Sequence, residues 1–167
     1  MVNAAFAGRV YPPTPVYEVG REKIREFAEA IGGGDPGAFV DLPLDPLVGP
    51  EHVHPAHVDP EAARALGYPD VIAPPTFAVI VAQRCDAQLV RDPEAGIDFT
   101  RVVHGEQTFT HHRPIVAGDR LVAVLHVDSV RSAGGHAMVT TRSEIATEAG
   151  EPVCTATSTI VVRGEDA

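Results

Sequence analysis

The chain has 167 residues, room for one compact domain and too little for two of ordinary size. Hydrophobic residues make up 44% and charged residues 22%, a composition that supports a buried core and argues against disorder. Lys and Arg number 13 against 23 Asp and Glu, and the net charge of −10 disfavours non-specific binding to nucleic acid or to an anionic membrane surface.

Twelve of the 15 prolines fall in the first 75 residues, so loops and short helices are expected there and sheet afterwards. Residues 19–31 (VGREKIREFAEAI) set Ile24, Phe27, Ala28 and Ile31 on one face, with Gly32-Gly33-Gly34 as a stop, and predict a helix. Residues 32–59 carry neither a 2 nor a 3.6 period and exceed the ~12–15 residues of an ordinary connection. They read as a functional loop holding an insertion at about 37–53. A short amphipathic helix is expected over 60–66, ending at Gly67. Residues 76–90 (TFAVIVAQRCDAQLV) are apolar on nearly every side in their first two turns, which predicts a buried helix behind Pro74 and Pro75.

The second half alternates. Residues 101–113, 119–131, 136–147 and 152–163 are rich in β-branched side chains and are separated by turn material at 114–119, 133–135 and 148–151. Four long strands with short links predict an antiparallel meander. The expected architecture is α+β, a long antiparallel sheet wrapped around the helix at 76–90, in a single domain over 1–167.

These elements, in this order, resemble a known family. The carriers are Tyr17-Glu-Val-Gly-Arg-Glu-Lys-Ile-Arg-Glu-Phe-Ala-Glu-Ala, His54-Pro-Ala-His-Val-Asp-Pro-Glu-Ala-Ala-Arg-Ala-Leu-Gly-Tyr68 and Pro69-Asp-Val-Ile-Ala-Pro-Pro-Thr-Phe77. Arg113-Pro-Ile-Val-Ala-Gly-Asp-Arg-Leu121 and Val127-Asp-Ser-Val-Arg131 continue the series. The succession is similar to the actinobacterial MaoC-like dehydratases, in particular the N-terminal-domain type that includes the HadA and HadC subunits. The resemblance implies a hot-dog fold, a dimer, and acyl thioesters on CoA or acyl carrier protein as ligands. It implies a (3R)-hydroxyacyl-thioester dehydratase or (R)-specific enoyl-thioester hydratase. The alternative is a non-catalytic subunit that binds acyl chains and stabilises a catalytic hot-dog partner.

The family's active members carry an Asp and a His in a G-D-x-N-P-x-H loop, and here that motif is interrupted. Read forward from the first helix, Asp35-Pro36 fall at its Asn-Pro; read back from Asp59, Pro55 and His57 fall at its Pro and His. The dyad implied by the resemblance is therefore His57 with Asp35, and the substrate residues are Tyr68, Thr76 and Phe77. Pro75 has no N–H to offer an oxyanion, which leaves Thr76 or Phe77 as donors at the helix start. Thr76 also reads as an N-cap. An acidic carrier needs a basic patch, for which Arg84, Arg91, Arg101 and Arg113 are candidates.

His52, His54 and His57 raise a rival reading, since imidazoles are common ligands of transition metals. The spacing does not fit a cupin-type motif, and no metal is expected. No dinucleotide fingerprint, P-loop or Gly-x-Ser-x-Gly elbow is present, so no cofactor is expected. Cys85 and Cys154 lack CxxC spacing and point to neither a disulfide framework nor a zinc site. No apolar run reaches the ~20 residues that span a bilayer, the opening MVNAAFAGRVYPP lacks a signal pattern, and a cytoplasmic location is expected.

Overall fold

The alternation of the second half is realised as sheet in the computed structural model, which describes residues 2–32 and 53–164. Four long strands form it: β2 (Val102–His111), β3 (Arg120–Ala133), β4 (His136–Thr147) and β5 (Pro152–Val162); a two-residue strand β1 (Tyr17–Glu18) precedes them. All long pairings are antiparallel, and the order is β1-β3-β4-β5-β2. The β3–β4 hairpin closes on Gly134 and Gly135, both at positive φ (57° and 81°), as a two-residue turn matching the strand twist requires. Gly105 sits where β2 slips register against β5, and a Cβ there would lie 3.2 Å from the Thr159 carbonyl oxygen.

The meander expectation is corrected. β2 pairs with β5, not with β3, because residues 114–120 do not make a tight turn. They pair instead with the segment around Ile72: Ala73 N–H donates to the Ile115 carbonyl at 2.8 Å and Ala117 N–H to that of Val71 at 3.0 Å. Asp119 serves there as a turn residue, its Oδ2 accepting from Val116 N–H at 2.8 Å.

Three helices are described: α1 (Arg21–Gly32), α2 (Pro60–Ala65) and α3 (Val79–Arg91). In α1, Ile24 and Ala28 are buried and Ile31 is 52% exposed, so the buried stripe is shorter than the spacing predicts. Asp59 caps α2 with its side chain. A 3-10 turn (Pro75–Ala78) precedes α3, and Ala78 caps it without a side-chain bond, so Thr76 does not serve as the expected N-cap. Burial on α3 is one-sided, through Val81, Ala82, Cys85 and Leu89, while Gln83, Arg84 and Arg91 are exposed. The all-round burial read from the sequence is corrected accordingly.

The chain forms two compact units. One takes in Met1–Tyr17, Ala78–Arg113 and Leu121–Ala167, and the other Glu18–Phe77 and Pro114–Arg120. In the first, α3 packs against β4, and Leu121, Leu125, Val127, Val139 and Ile145 of the sheet are each at most 2% exposed. Burying each large side chain contributes about 1.5–3 kcal/mol before entropy is counted. The N-terminal segment runs along the outer edge of β3, with Gly8, Tyr11 and Thr14 donating to the carbonyls of Val127, Leu125 and Ala123. Nothing comparable covers β2 among the described residues, and most of its side chains are exposed. Among the described residues no helix is long and apolar enough to cross a membrane.

Candidate functional site

His57 ends a 3-10 turn (Pro55–His57), and main-chain bonds hold it in place. The Ile72 N–H donates to the Ala56 carbonyl at 3.0 Å, and the His57 ring nitrogen Nδ1 lies 2.7 Å from the Ile72 carbonyl oxygen. A carbonyl only accepts, so Nδ1 carries the proton and donates. In the neutral ring Nε2 then holds a lone pair, the form a proton acceptor needs. Ile72 is fixed in turn by the bridge to Val116. His57 is half-buried.

The other expected site residues differ in placement. Tyr68 is half-buried just past α2, where its N–H donates to the Ala63 carbonyl at 3.1 Å. Thr76 is exposed in the turn before α3. Phe77 is fully buried, its ring edge-on to Phe27 at 5.4 Å between centroids, and its N–H donates to the Pro74 carbonyl at 2.9 Å. Asp35, His52 and the insertion expected at 37–53, Val53 apart, lie outside the described residues. The His54 and His57 rings stand 5.8 Å apart, but His54 Nδ1 accepts from Ala56 N–H as a cap. Among the described residues no three His, Cys, Asp or Glu side chains cluster as a metal site.

The sheet unit holds a second concentration of polar groups that the sequence reading missed. Register aligns Val127, Thr141, Ser158 and Gln107 across four strands. On α3, Asp86 accepts from Thr141 Oγ1 at 3.0 Å, and Ser158 Oγ lies 3.2 Å from His104 Nε2. These groups line a cavity of about 790 Å³ whose apolar wall includes Leu89, Val90, Phe99, Val102 and Ile160. Burial pushes the Asp86 carboxyl up to about 6, against the opposing effects of the Thr141 bond and the His104 charge. The available signal was an aspartate on α3 directly after buried Cys85. Burial also pushes both thiols, Cys85 and Cys154, up to about 11, so neither is poised as a nucleophile.

Comparison with known proteins fits this geometry. A family model for the FAS1-like dehydratase domain region matches residues 48–156. A UPF0336 protein of Saccharopolyspora erythraea is 54% identical over 163 residues, 98% of this chain and 92% of the relative. The HadBC (3R-hydroxyacyl-ACP dehydratase) complex of Mycobacterium tuberculosis contains a chain 33% identical to this one, with a TM-score of 0.72 over 93% of this chain and 96% of that chain. A MaoC-like dehydratase, also 33% identical, aligns with a TM-score of 0.78 over 97% of this chain and 43% of its own. The fold is thus a hot dog, and the chain belongs to the FAS1-like dehydratase family and to the UPF0336 proteins.

Proposed function

We propose that the chain is a (3R)-hydroxyacyl-thioester dehydratase, or equivalently an (R)-specific enoyl-thioester hydratase, acting in the cytoplasm with His57 as its acid/base. The observation that carries this reading is the 2.7 Å contact from His57 Nδ1 to the Ile72 carbonyl, which leaves Nε2 as the proton acceptor. In the hydration direction Nε2 takes a proton from water as its oxygen bonds to the β-carbon. The electron pair of the double bond moves toward the thioester oxygen as an enolate, and the α-carbon is then protonated. Dehydration runs the same steps backwards. Pro75 lacks an N–H and that of Phe77 is committed to Pro74, so the Thr76 amide is the donor we assign to the enolate oxygen. Asp35 stays in the proposal as the partner acid, and Tyr68 as a wall of the acyl site. The chemistry is proton transfer and requires no redox cofactor.

The uncovered β2 edge supports pairing with a second hot-dog chain, either another copy or a related subunit. Arg84 and Arg91, seven residues apart on one exposed face of α3, offer charge to an acidic carrier. Arg113 is less suited, since it pairs with Glu151 at 3.2 Å.

One observation favours the second reading, a non-catalytic subunit in a heterodimer: Pro75, at the turn before α3, has no N–H to offer an enolate oxygen. Hydration of trans-crotonyl-CoA by the purified chain separates the two. Turnover that disappears in His57→Ala establishes the enzyme. No turnover from folded, dimeric protein overturns it in favour of the partner-subunit reading.

A further inference from the structure

We propose that the cavity beside α3 binds an aliphatic chain carrying a hydroxyl group away from its acid or thioester end, and that Asp86 selects that hydroxyl. An ionised carboxylate offers about four lone-pair sites, and the hydrogen bond made to Asp86 by the described residues is the one from Thr141 Oγ1 to Oδ1. No Lys or Arg pairs with it among the described residues. A carboxyl desolvated this way costs stability, which a leucine or asparagine at the position would not. A cavity of about 790 Å³ opens beside it, within the ~300–1,000 Å³ range of ligand sites.

The lining narrows the guest. Leu89, Val90, Val102 and Ile160 are aliphatic and suit a hydrocarbon chain. The polar lining presents the Asp86 acceptor and the His104–Ser158 pair at 3.2 Å. A hydroxyl both donates and accepts, so it bonds Asp86 and still takes a proton from that pair. A ketone or ether has nothing to donate to Asp86, and a plain methyl end leaves the acceptor bare in a partly dehydrated place. Asp86 is thus a specificity residue, and the proposal does not depend on His57.

The test is calorimetric titration of the full-length protein at pH 7.5 with ω-hydroxydodecanoate and with dodecanoate, two saturated acids that no hydratase can turn over. The hydroxy acid is expected to bind about tenfold more tightly, the scale of one hydrogen bond to a charged group. Asp86→Leu is expected to reverse the order. Asp86→Asn, the milder change if the leucine variant does not fold, keeps an acceptor and is expected to reduce the preference to roughly threefold. Equal affinities in the natural chain, a preference that survives Asp86→Leu, or no binding because a second chain fills the cavity would each overturn the proposal. Since neither ligand can be hydrated, a failure here leaves the crotonyl-CoA result standing, and the reverse holds as well.

Discussion

His57 and Asp86 are both half-buried polar residues in the described structure, yet they are held by opposite means. Main chain holds His57: its Nδ1 is committed to the Ile72 carbonyl, and Ile72 is pinned by the bridge to Val116. Side chains surround Asp86: Thr141 donates to one oxygen, and His104 and Ser158 line the same cavity. A main-chain clamp fixes orientation and tautomer and leaves one atom for chemistry. A carboxylate with a single neutral donor keeps acceptor capacity in reserve, which is what a binding site requires. The difference separates a group shaped for proton transfer from one shaped for recognition.

The largest expected effect breaks the first side of this contrast. His57→Ala should lower hydration by about 10²–10⁴-fold, the usual range for a lost general base, while the thermal midpoint stays close to that of the natural chain. Stability variants come next, one in each unit. Phe77→Ala removes a fully buried ring that packs on Phe27 and should cost about 3–5 kcal/mol; Leu125→Ala, in the sheet core, should cost about 2–5 kcal/mol. Urea unfolding checks both, and a loss under 1 kcal/mol at either position would contradict the packing described.

A smaller effect of opposite sign sharpens the second side. The Asp86 carboxyl lies at about 6 in the folded chain, above the ~4 of an ordinary carboxylate. Between those values the native state binds more protons than the unfolded one, so stability is greatest below the window and falls as pH rises through it. Asp86→Asn should therefore stabilise the protein by about 2 kcal/mol at pH 7, with the gain vanishing near pH 4. Melting curves across pH 4–8 check this, and a uniform gain at all pH values would contradict it. Smallest of all is the exposed pair of Arg21 and Asp70, at 2.6 Å, which holds the Asp70 carboxyl below its usual range. Its stabilising effect is present above that range and lost as pH falls through the lowered value. Asp70→Asn should cost little, and high salt should erase the difference.

Much of the fold is legible in the sequence because alternation and burial are local signals. The strand expected at 136–147 matches β4 at both ends, and the inward face of β3 follows Leu121, Ala123, Leu125 and Val127 without a break. Strand order is not local. Whether β2 joins β3 or β5 depends on what residues 114–120 bond to, and their partner lies some forty residues earlier in the chain. The site divides in the same way. His57 stands out by its loop and motif, whereas its partner is a main-chain carbonyl, which no side-chain pattern reveals. Asp86 is visible as an acidic residue next to a buried cysteine on α3, but Thr141 and Ser158 reach its cavity only through the register of the sheet.

The tautomer of His57 is the most direct test of the central claim. Nitrogen-15 NMR of histidine-labelled protein at neutral pH, with His57→Gln to assign the signal, reports which ring nitrogen carries the proton. The expected signal is that of the Nδ1-protonated tautomer, with Nε2 at the shift of a free lone pair. A proton on Nε2 would contradict it, because the atom assigned to accept a proton from water would already hold one.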